Sequence, residues 1–415
     1  MFELLLPVAL GVLGGGIGLA LAGRGRKSRQ EVLEEADALQ SQGASLAAVA
    51  LLERALRQVG PTETAFIAEA RYRLCGLYVS LQKWRLGEQV CQELLQSASE
   101  LGPSGRHDVL RHLARCQDAL DLPQEAEASR SQADALIEEI PDTAYRLFAR
   151  QERLVRLHQY PQALLLQEEL LTSYPERVAV PTLLCFTAFT AQHAGYAATA
   201  RSYLTQALAT PELAPALQWE MHRVGFHAAE AQHDWEALLT HAKALHTLSP
   251  QATSRRYLAT ALLLNNQLSE TEALLTGEDI GLGVTLARLQ RDFPKAQQWL
   301  ERAAPGPKTT LLAATVALEA GDGSTALMHL EDLRERAPLV QLRRAWALAL
   351  TGITTPPPQP ADDSPEQREA YAQALWHQGA RTQACEAQAE LLRQPLAPAF
   401  RAYHEALYQQ WTATP

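Results

Sequence analysis

The chain has 415 residues, with 23 glycines, 23 prolines and five cysteines, a composition that excludes collagen-like and disulfide-scaffold proteins. It is 47% hydrophobic and 20% charged, which excludes an intrinsically disordered chain and a membrane protein with many spans. The net charge of −10 argues against a general nucleic-acid binder, because contacts with phosphates need a basic surface. Alanine, leucine, glutamine, arginine and glutamate fill long stretches, and these good helix formers favour an all-α fold.

An uncharged run at residues 4–22 predicts a single membrane-spanning helix. At about 1.5 Å per residue, a helix of this length crosses the hydrocarbon core of a bilayer. Glu3 is the only charged residue before the run, and four basic residues follow it. The positive-inside rule therefore places the following chain in the cytoplasm. A cleaved signal peptide is the alternative, but its bases would precede the apolar run. Residues 1–30 are therefore predicted to anchor a single-pass protein of the inner or plasma membrane, and the four bases are Arg24, Arg26, Lys27 and Arg29.

Small residues recur along one side of the predicted anchor, where they would allow two membrane helices to approach closely. This spacing suggests a homodimer formed through the anchor. The alternative is that glycine is simply common in membrane helices. The residues concerned are Gly11, Gly14, Gly15, Gly18 and Ala22.

Beyond residue 30 the sequence repeats a unit of two helices. Ala126, Ala163, Ala200 and Ala237 each open a second helix, and each lies 37 residues from the next. Apolar or small residues usually follow at positions +4 and +7, on the same helical face, and a proline then ends the helix. The same role falls to Ala48, Gly87, Ala273, Ala296, Ala326 and Ala384.

A second small residue stands twelve positions earlier in eight of the ten units. Small residues at a fixed interval in both helices predict two closely packed antiparallel helices. Gln151 and Val284 occupy this position in the two exceptional units. The eight small residues are Ala36, Cys75, Ala114, Ala188, Gly225, Ala261, Ala314 and Ala372.

These units resemble the tetratricopeptide repeat family over residues 31–350 and 366–395. The family's first-helix pattern, large-x-x-large-small-x-x-large, is read in three segments: Met221-x-x-Val224-Gly225-x-x-Ala228, Leu110-x-x-Leu113-Ala114 and Leu74-Cys75-x-x-Tyr78. The resemblance implies a right-handed α-solenoid of helix hairpins, with a concave groove that binds peptides or other proteins. Most units are longer than the usual length of about 34 residues, so HEAT-like and related helical repeats remain alternatives.

The first residues also resemble the anchor of the lipopolysaccharide assembly protein B family. The matching letters are Met1-Phe2-Glu3-Leu4-Leu5, Pro7-Val8-Ala9 and Gly23-Arg24. That resemblance would imply an adaptor that presents a substrate to a membrane protease or an envelope-assembly enzyme. The family's rubredoxin-like cysteine module is missing, since Cys385 alone cannot supply it.

The C-terminal part of the chain is divided by residues 351–365, which contain five prolines and predict a linker or surface loop. A proline-motif ligand for a partner domain is the alternative. Residues 366–415 are then predicted to form a final helix pair and a capping helix, which closes the exposed end of a solenoid.

No motif in the sequence indicates catalysis, a cofactor or a metal, and we predict that the protein is not an enzyme. The cysteines have no C-x-x-C spacing and are expected to be reduced, small core residues. Five histidines lie between residues 222 and 246, but the close pairs are five apart, which turns the second ring away from the face of the first. A metal-dependent enzyme that uses them is the alternative. They are His222, His227, His233, His241 and His246.

The first helices are expected to line the groove, because the resemblance implies it. Exposed aromatic and arginine side chains are the usual anchors of a protein interface. We predict a membrane-anchored scaffold or adaptor that binds protein partners at the cytoplasmic face, with an envelope-assembly factor or an extracytoplasmic solenoid as alternatives. The predicted binding residues are Arg111, Arg115, Phe189, Trp219, His222 and Phe226, and packing between units is the alternative role for the two phenylalanines.

Overall fold

A computed structural model describes residues 28–60, 62–96, 101–211, 213–331, 333 and 337–413. Throughout this part of the chain the regular secondary structure is helical, with no strand. The predicted anchor at residues 4–22, with Gly11, Gly14, Gly15, Gly18 and Ala22, lies outside the described residues. No helix within the described ranges combines the length and apolar character needed to cross a bilayer.

The chain divides into two compact units, the first ending at Leu213 and the second beginning at Ala214. Unit 1 contains α1 (Arg29–Ser41), α2 (Ser45–Arg57), α3 (Thr64–Ser80), α4 (Trp84–Gln96), α5 (Pro103–Ala119), α6 (Pro123–Leu136), α7 (Thr143–Arg156), α8 (Tyr160–Ser173), α9 (Val180–His193) and α10 (Ala197–Leu208). Short 3-10 turns follow α6 and α8, at Ile137–Glu139 and Pro175–Arg177.

Unit 2 holds the remaining helices, again arranged so that helices adjacent in the chain pack together. They are α11 (Pro215–Ala231), α12 (Trp235–Leu248), α13 (Ala252–Leu264), α14 (Leu268–Leu274), α15 (Ile280–Leu289), α16 (Phe293–Leu300), α17 (Pro307–Glu319), α18 (Gly323–Glu331), α19 (Pro338–Leu350), α20 (Pro365–His377), α21 (Arg381–Leu392) and α22 (Pro398–Thr412).

The predicted small residues lie at the contacts between paired helices. Ala114 of α5 and Ala126 of α6 are both buried, as are the residues at the corresponding positions in most other pairs. Gly87 of α4 is close to both neighbours, because a Cβ atom there would lie 3.6 Å from the Tyr78 Cβ of its paired helix α3 and 2.8 Å from the Cys116 Sγ of α5 in the next pair. The twelve-residue interval therefore marks real helix contacts.

The predicted register of the second helix is wrong in two units. Ala237 is only partly buried and Ala273 is exposed, whereas their neighbours Leu238 and Thr271 are fully buried. The buried stripe of α12 continues from Leu238 through residues 242 and 245, which follow at offsets of four and seven. The alanine spacing of 37 thus misplaced the helical face by one residue in α12, and by two in α14.

The first helix of each pair ends in the same turn. The residue after the C-cap has a positive φ, and the next backbone N–H donates to a carbonyl five residues earlier, as Lys83 does to Tyr78 across 2.8 Å. This is the Schellman arrangement, which satisfies carbonyls left over at a helix end. In the described residues it occurs at Gly43, Gln82, Asp121, His158, Gly195, His233, Asn266, Arg291, Gly321, Gly352 and Gly379.

Helix α19 ends in this turn but is not followed by a second helix. Ile353 donates to the Leu348 carbonyl at 2.9 Å as in the other turns, and residues 354–360 then have no regular secondary structure. Prolines at 356–358 lack the backbone donors of a helix, so the second helix cannot form. The segment instead runs along α20, where Gln359 donates to the Tyr371 hydroxyl at 2.9 Å.

Candidate functional site

Polar side chains of three successive first helices meet in unit 1. The Tyr72 hydroxyl of α3 donates to the Asp108 Oδ2 of α5 at 2.6 Å. Arg111, one turn further along α5, donates to the Asp108 Oδ1 at 3.1 Å and to the Glu152 Oε1 of α7 at 2.5 Å. We call these four residues the α3–α5–α7 network.

Burial gives the two carboxylates of the network opposite properties. Asp108 is 5% exposed, and although burial alone would raise its pKa, His112, Arg111 and the Tyr72 hydroxyl hold it well below its usual range. Burial raises the pKa of Glu152 to about 7, with Asp108 adding to the effect and Arg111 opposing it. The Glu152 Oε2 is buried without a hydrogen-bond partner. One arginine therefore pairs with both a buried acid, Asp108, and a partly buried one, Glu152.

The two predicted binding arginines of α5 are engaged within the protein. Arg111 forms the ion pairs of the α3–α5–α7 network, and its guanidinium also lies 5.8 Å from the Phe148 ring. Arg115 is partly buried, and its charge lowers the pKa of the neighbouring Cys116 thiol against a larger opposing effect of burial. Arg111 thus links successive helix pairs, a role that its position on the helix face could not reveal.

Aromatic rings form a second cluster, at the turns of the next two pairs. Tyr160 opens α8 and stacks on His193 at the end of α9, with ring centres 5.1 Å apart. Phe189 packs against the same His193 ring at 4.1 Å, and the His158 Nδ1 lies 2.8 Å from the Tyr160 hydroxyl. We call His158, Tyr160, Phe189 and His193 the aromatic patch.

The aromatic patch is accessible to solvent. His158 and His193 are exposed, while Tyr160 and Phe189 are partly buried. The turns that carry the patch also expose Leu157 (46%) and Tyr196 (49%). The six side chains include no arginine, lysine or carboxylate, so this surface is largely apolar and aromatic.

The predicted residues of α11 have three different environments. Trp219 is partly buried. The His222 Nδ1 lies 3.0 Å from the Nδ1 of His241 on α12, and burial lowers the pKa of His222. Phe226 is 3% exposed and packs edge-on against Tyr257 of α13, with ring centres 4.8 Å apart. Phe226 is therefore a core residue that a partner cannot reach, because the helix turns its ring toward α13.

The histidine-rich stretch does not assemble a metal site within the described ranges, where no group of three or more His, Cys, Asp or Glu could hold an ion. His222 and His241 meet although they are 19 residues apart, because α11 and α12 are antiparallel. When the two rings hold complementary tautomers, the N–H of one ring can donate to the bare nitrogen of the other, which accounts for their short contact.

Sequence reasoning identified Phe189 but missed its neighbours Tyr160 and His193. Both lie at the turn ends of their helices, 33 residues apart, and only the packing of α8 against α9 brings them together. Glu152 was missed for the same reason. Recurrent aromatic or histidine residues beside the turns are the sequence signal that would have indicated the aromatic patch.

No family model and no curated protein matches the sequence. Several solved structures are similar at low identity. The Cut9–Hcn1 hetero-tetramer of APC/C is 12% identical, with 92% of this chain and 84% of that chain covered and a TM-score of 0.38. Yeast Tom70 is 13% identical over 92% and 95%, with a TM-score of 0.36. A tetratricopeptide repeat protein of Parabacteroides merdae is 12% identical over 77% and 98%, with a TM-score of 0.32.

The repeat architecture is evident from features of the chain itself. Paired antiparallel helices, small residues at their contacts and one recurring turn are all present in the described residues. These are the elements of a helical repeat in which each pair packs against its neighbours. In the residues that the structure describes, the chain is an all-α array of antiparallel helix pairs.

Proposed function

We propose that the protein is a scaffold or adaptor that binds a protein partner through the aromatic patch of unit 1. The observation that carries this proposal is the chain of ring contacts from His158 through Tyr160 and His193 to Phe189, spread over two helix pairs and open to solvent. Accessible aromatic clusters of this kind supply most of the binding energy at protein interfaces. The function requires no cofactor, metal or catalytic group.

The chemistry of the patch selects the kind of partner. Its four side chains, with Leu157 and Tyr196 beside them, offer no arginine, lysine or carboxylate for a charge on the partner. A charged segment would lose its hydration there without gaining an ion pair. The partner is therefore a segment with apolar, aromatic or proline side chains at the contact.

The test is a crosslinking pull-down with the full-length protein. Changing both His193 and Tyr196 to Ala is expected to remove one partner from the captured set, because both side chains are exposed and their loss leaves the helix pairs intact. The matched control is Leu46→Ala on α2, which removes a more exposed apolar side chain (67%) far along the chain from the patch. If the double variant and the wild type capture the same set of partners, the proposal is wrong.

We further propose that residues 4–22 anchor this scaffold in the inner or plasma membrane, with the helix pairs in the cytoplasm. The support is the uncharged run followed by four bases. A reporter that is active only in the cytoplasm, fused after Pro415, is expected to be active. Activity only from a reporter that requires export would overturn this topology.

Dimer formation through the anchor is part of the same proposal. The small residues at positions 11 and 15 would allow two such helices to approach closely. Changing Gly11 and Gly15 to Leu is expected to abolish the crosslinked dimer of the full-length protein in membranes. An unchanged dimer yield would show that the anchor does not mediate association.

A further inference from the structure

The C-terminal helix of unit 2 makes contacts far from its neighbour in the chain. Helix α22 packs on α21, as expected for adjacent helices, but it also touches α13 and α15. These two are the first helices of earlier pairs, and α16 to α21 separate them from α22 in the chain. Helix α22 therefore lies across the side of unit 2 that its first helices present.

Tyr403 meets a set of charged residues on that side. The Arg291 guanidinium lies 5.7 Å from the centre of the Tyr403 ring. Arg288 of α15 donates to Glu319 of α17 at 2.9 Å, and the charges of this pair and of Glu369 of α20 act on the tyrosine hydroxyl. Burial, followed by the two glutamates, raises the pKa of Tyr403. An aromatic ring with a neutral hydroxyl thus covers a charged surface.

The same side of α22 supplies three further anchors. His404 is 3% exposed, and the Gln388 Nε2 of α21 lies 3.2 Å from its Nδ1. Leu407 is buried, and Trp411 stacks on Trp376 of α20 with ring centres 4.7 Å apart. The four anchors fall at positions i, i+1, i+4 and i+8, so one amphipathic helix carries the whole contact.

The attachment of α22 to α21 is incomplete. An open groove of about 600 Å³ runs along the surface between parts of the two helices, and its lining includes Cys385, Glu386 and Tyr408. The Gln388 Oε1 is buried without a hydrogen-bond partner beside His404. Elements with poorly filled and partly unsatisfied interfaces open at lower free energy than the core around them.

We infer that the first-helix side of unit 2 is a helix-binding groove which α22 occupies within the same chain. A partner displaces α22 when it presents an amphipathic helix of the same pattern. That pattern is an aromatic residue, a leucine four positions later and a second aromatic residue four positions after the leucine. This site is separate from the aromatic patch of unit 1, and the inference does not depend on the function proposed for that patch. Because α22 competes with the partner for the groove, it lowers the apparent affinity of the groove for the partner.

A protease site inserted between Arg393 and Leu396 in the full-length chain tests this inference. After cleavage of the folded protein, a labelled peptide of residues 396–415 is added in excess. The peptide is expected to exchange with α22 and to saturate at one per chain. Binding to the uncleaved protein is expected to be about tenfold weaker or worse, because α22 competes at the high effective concentration of a tethered segment.

Peptide variants identify the anchors. Changing Tyr403 and Leu407 to Ala is expected to weaken peptide binding about tenfold or more, whereas Glu405→Ala, at an exposed position, leaves it unchanged. Equal binding of all three peptides would overturn the inference. So would failure of the peptide to exchange, or loss of the helical circular dichroism when α22 leaves, since α22 would then be a permanent part of unit 2.

Hydrogen exchange of the unmodified full-length protein gives an independent readout. The amides of α22 are expected to exchange at least about tenfold faster than those of α20, through local opening. Exchange of α22 and α20 at the same rate would mean that α22 leaves only on global unfolding. That result would contradict a displaceable helix.

Discussion

The guanidinium of Arg111 on α5 donates a 2.5 Å hydrogen bond to the Glu152 Oε1 on α7, and this bond joins two successive helix pairs. The same arginine also pairs with Asp108 on its own helix. Similar links span neighbouring pairs elsewhere, such as Arg29 with Glu63 and Arg288 with Glu319. Charged residues on the first helices therefore join neighbouring helix pairs through ion pairs within the protein.

Arg111→Ala is expected to destabilise unit 1 by about 3 kcal/mol, because the buried Asp108 and the partly buried Glu152 lose their shared cation. The measurement is urea unfolding followed by circular dichroism. The control is Arg150→Ala, which breaks an exposed ion pair with Glu138 and should leave the unfolding midpoint unchanged. Equal effects of the two changes would contradict the role of Arg111 as a link between helix pairs.

Glu152 is expected to make unit 1 less stable as the pH rises from about 4.5 to about 7. Its pKa is raised from 4.5 to about 7 in the folded protein, so the protonated form is favoured by folding. That contribution is complete below pH 4.5 and is lost as the pH rises to about 7. Glu152→Gln removes this pH-dependent contribution. The free energy of unfolding of the wild type, relative to that of the variant, should therefore fall by about 3 kcal/mol between pH 4.5 and pH 7. A difference that is independent of pH would disprove the raised pKa.

His404 should act in the opposite direction. Burial lowers its pKa from 6.5 to about 4, so folding favours the neutral ring. The contribution is fully present above about pH 6.5 and is lost as the pH falls to about 4. His404→Asn keeps a polar group for Gln388 but cannot take up a proton in this range. The variant is expected to lose less stability than the wild type on acidification, and parallel pH profiles would contradict this.

Gly87→Ala is expected to destabilise the α4–α5 contact by about 2 kcal/mol, because the new Cβ would stand 2.8 Å from the Cys116 Sγ. Gly76→Ala in α3 is the matched control, since its Cβ would meet nothing closer than 3.9 Å. That change should be neutral or stabilising, because alanine is the better helix former. Adding Cys116→Ala to Gly87→Ala should recover part of the lost stability, and no recovery would refute the predicted clash.

The repeat and the packing of its pairs were predictable from the sequence, because small residues such as Ala114 and Ala126 act at fixed local spacing. Only some of the turns could be predicted from the sequence. Some turn positions are occupied by glycine, as at Gly43 and Gly195, and these could be identified from the sequence. Gln82 and five other non-glycine residues adopt the same positive φ where tertiary packing requires it.

The functional residues depended on contacts that the spacing could not show. Arg111 and Phe226 share the predicted helix faces, yet the first is paired with acids of two helices and the second is buried against Tyr257. Phe189 was predicted on the first helix, but its meeting with Tyr160 and His193 requires two pairs to pack together. Residues that act through neighbours about 30 to 40 positions away need the tertiary structure.

Site-specific photocrosslinking in the full-length protein tests the central claim most directly. A photoreactive amino acid at Tyr196, beside the aromatic patch, is compared with one at Leu46, which is more exposed but belongs to α2. The proposed function predicts a discrete crosslinked partner from position 196 that is absent from position 46 and is lost on His193→Ala. Crosslinks of equal yield from both positions, or a product that persists in the His193→Ala protein, would contradict it.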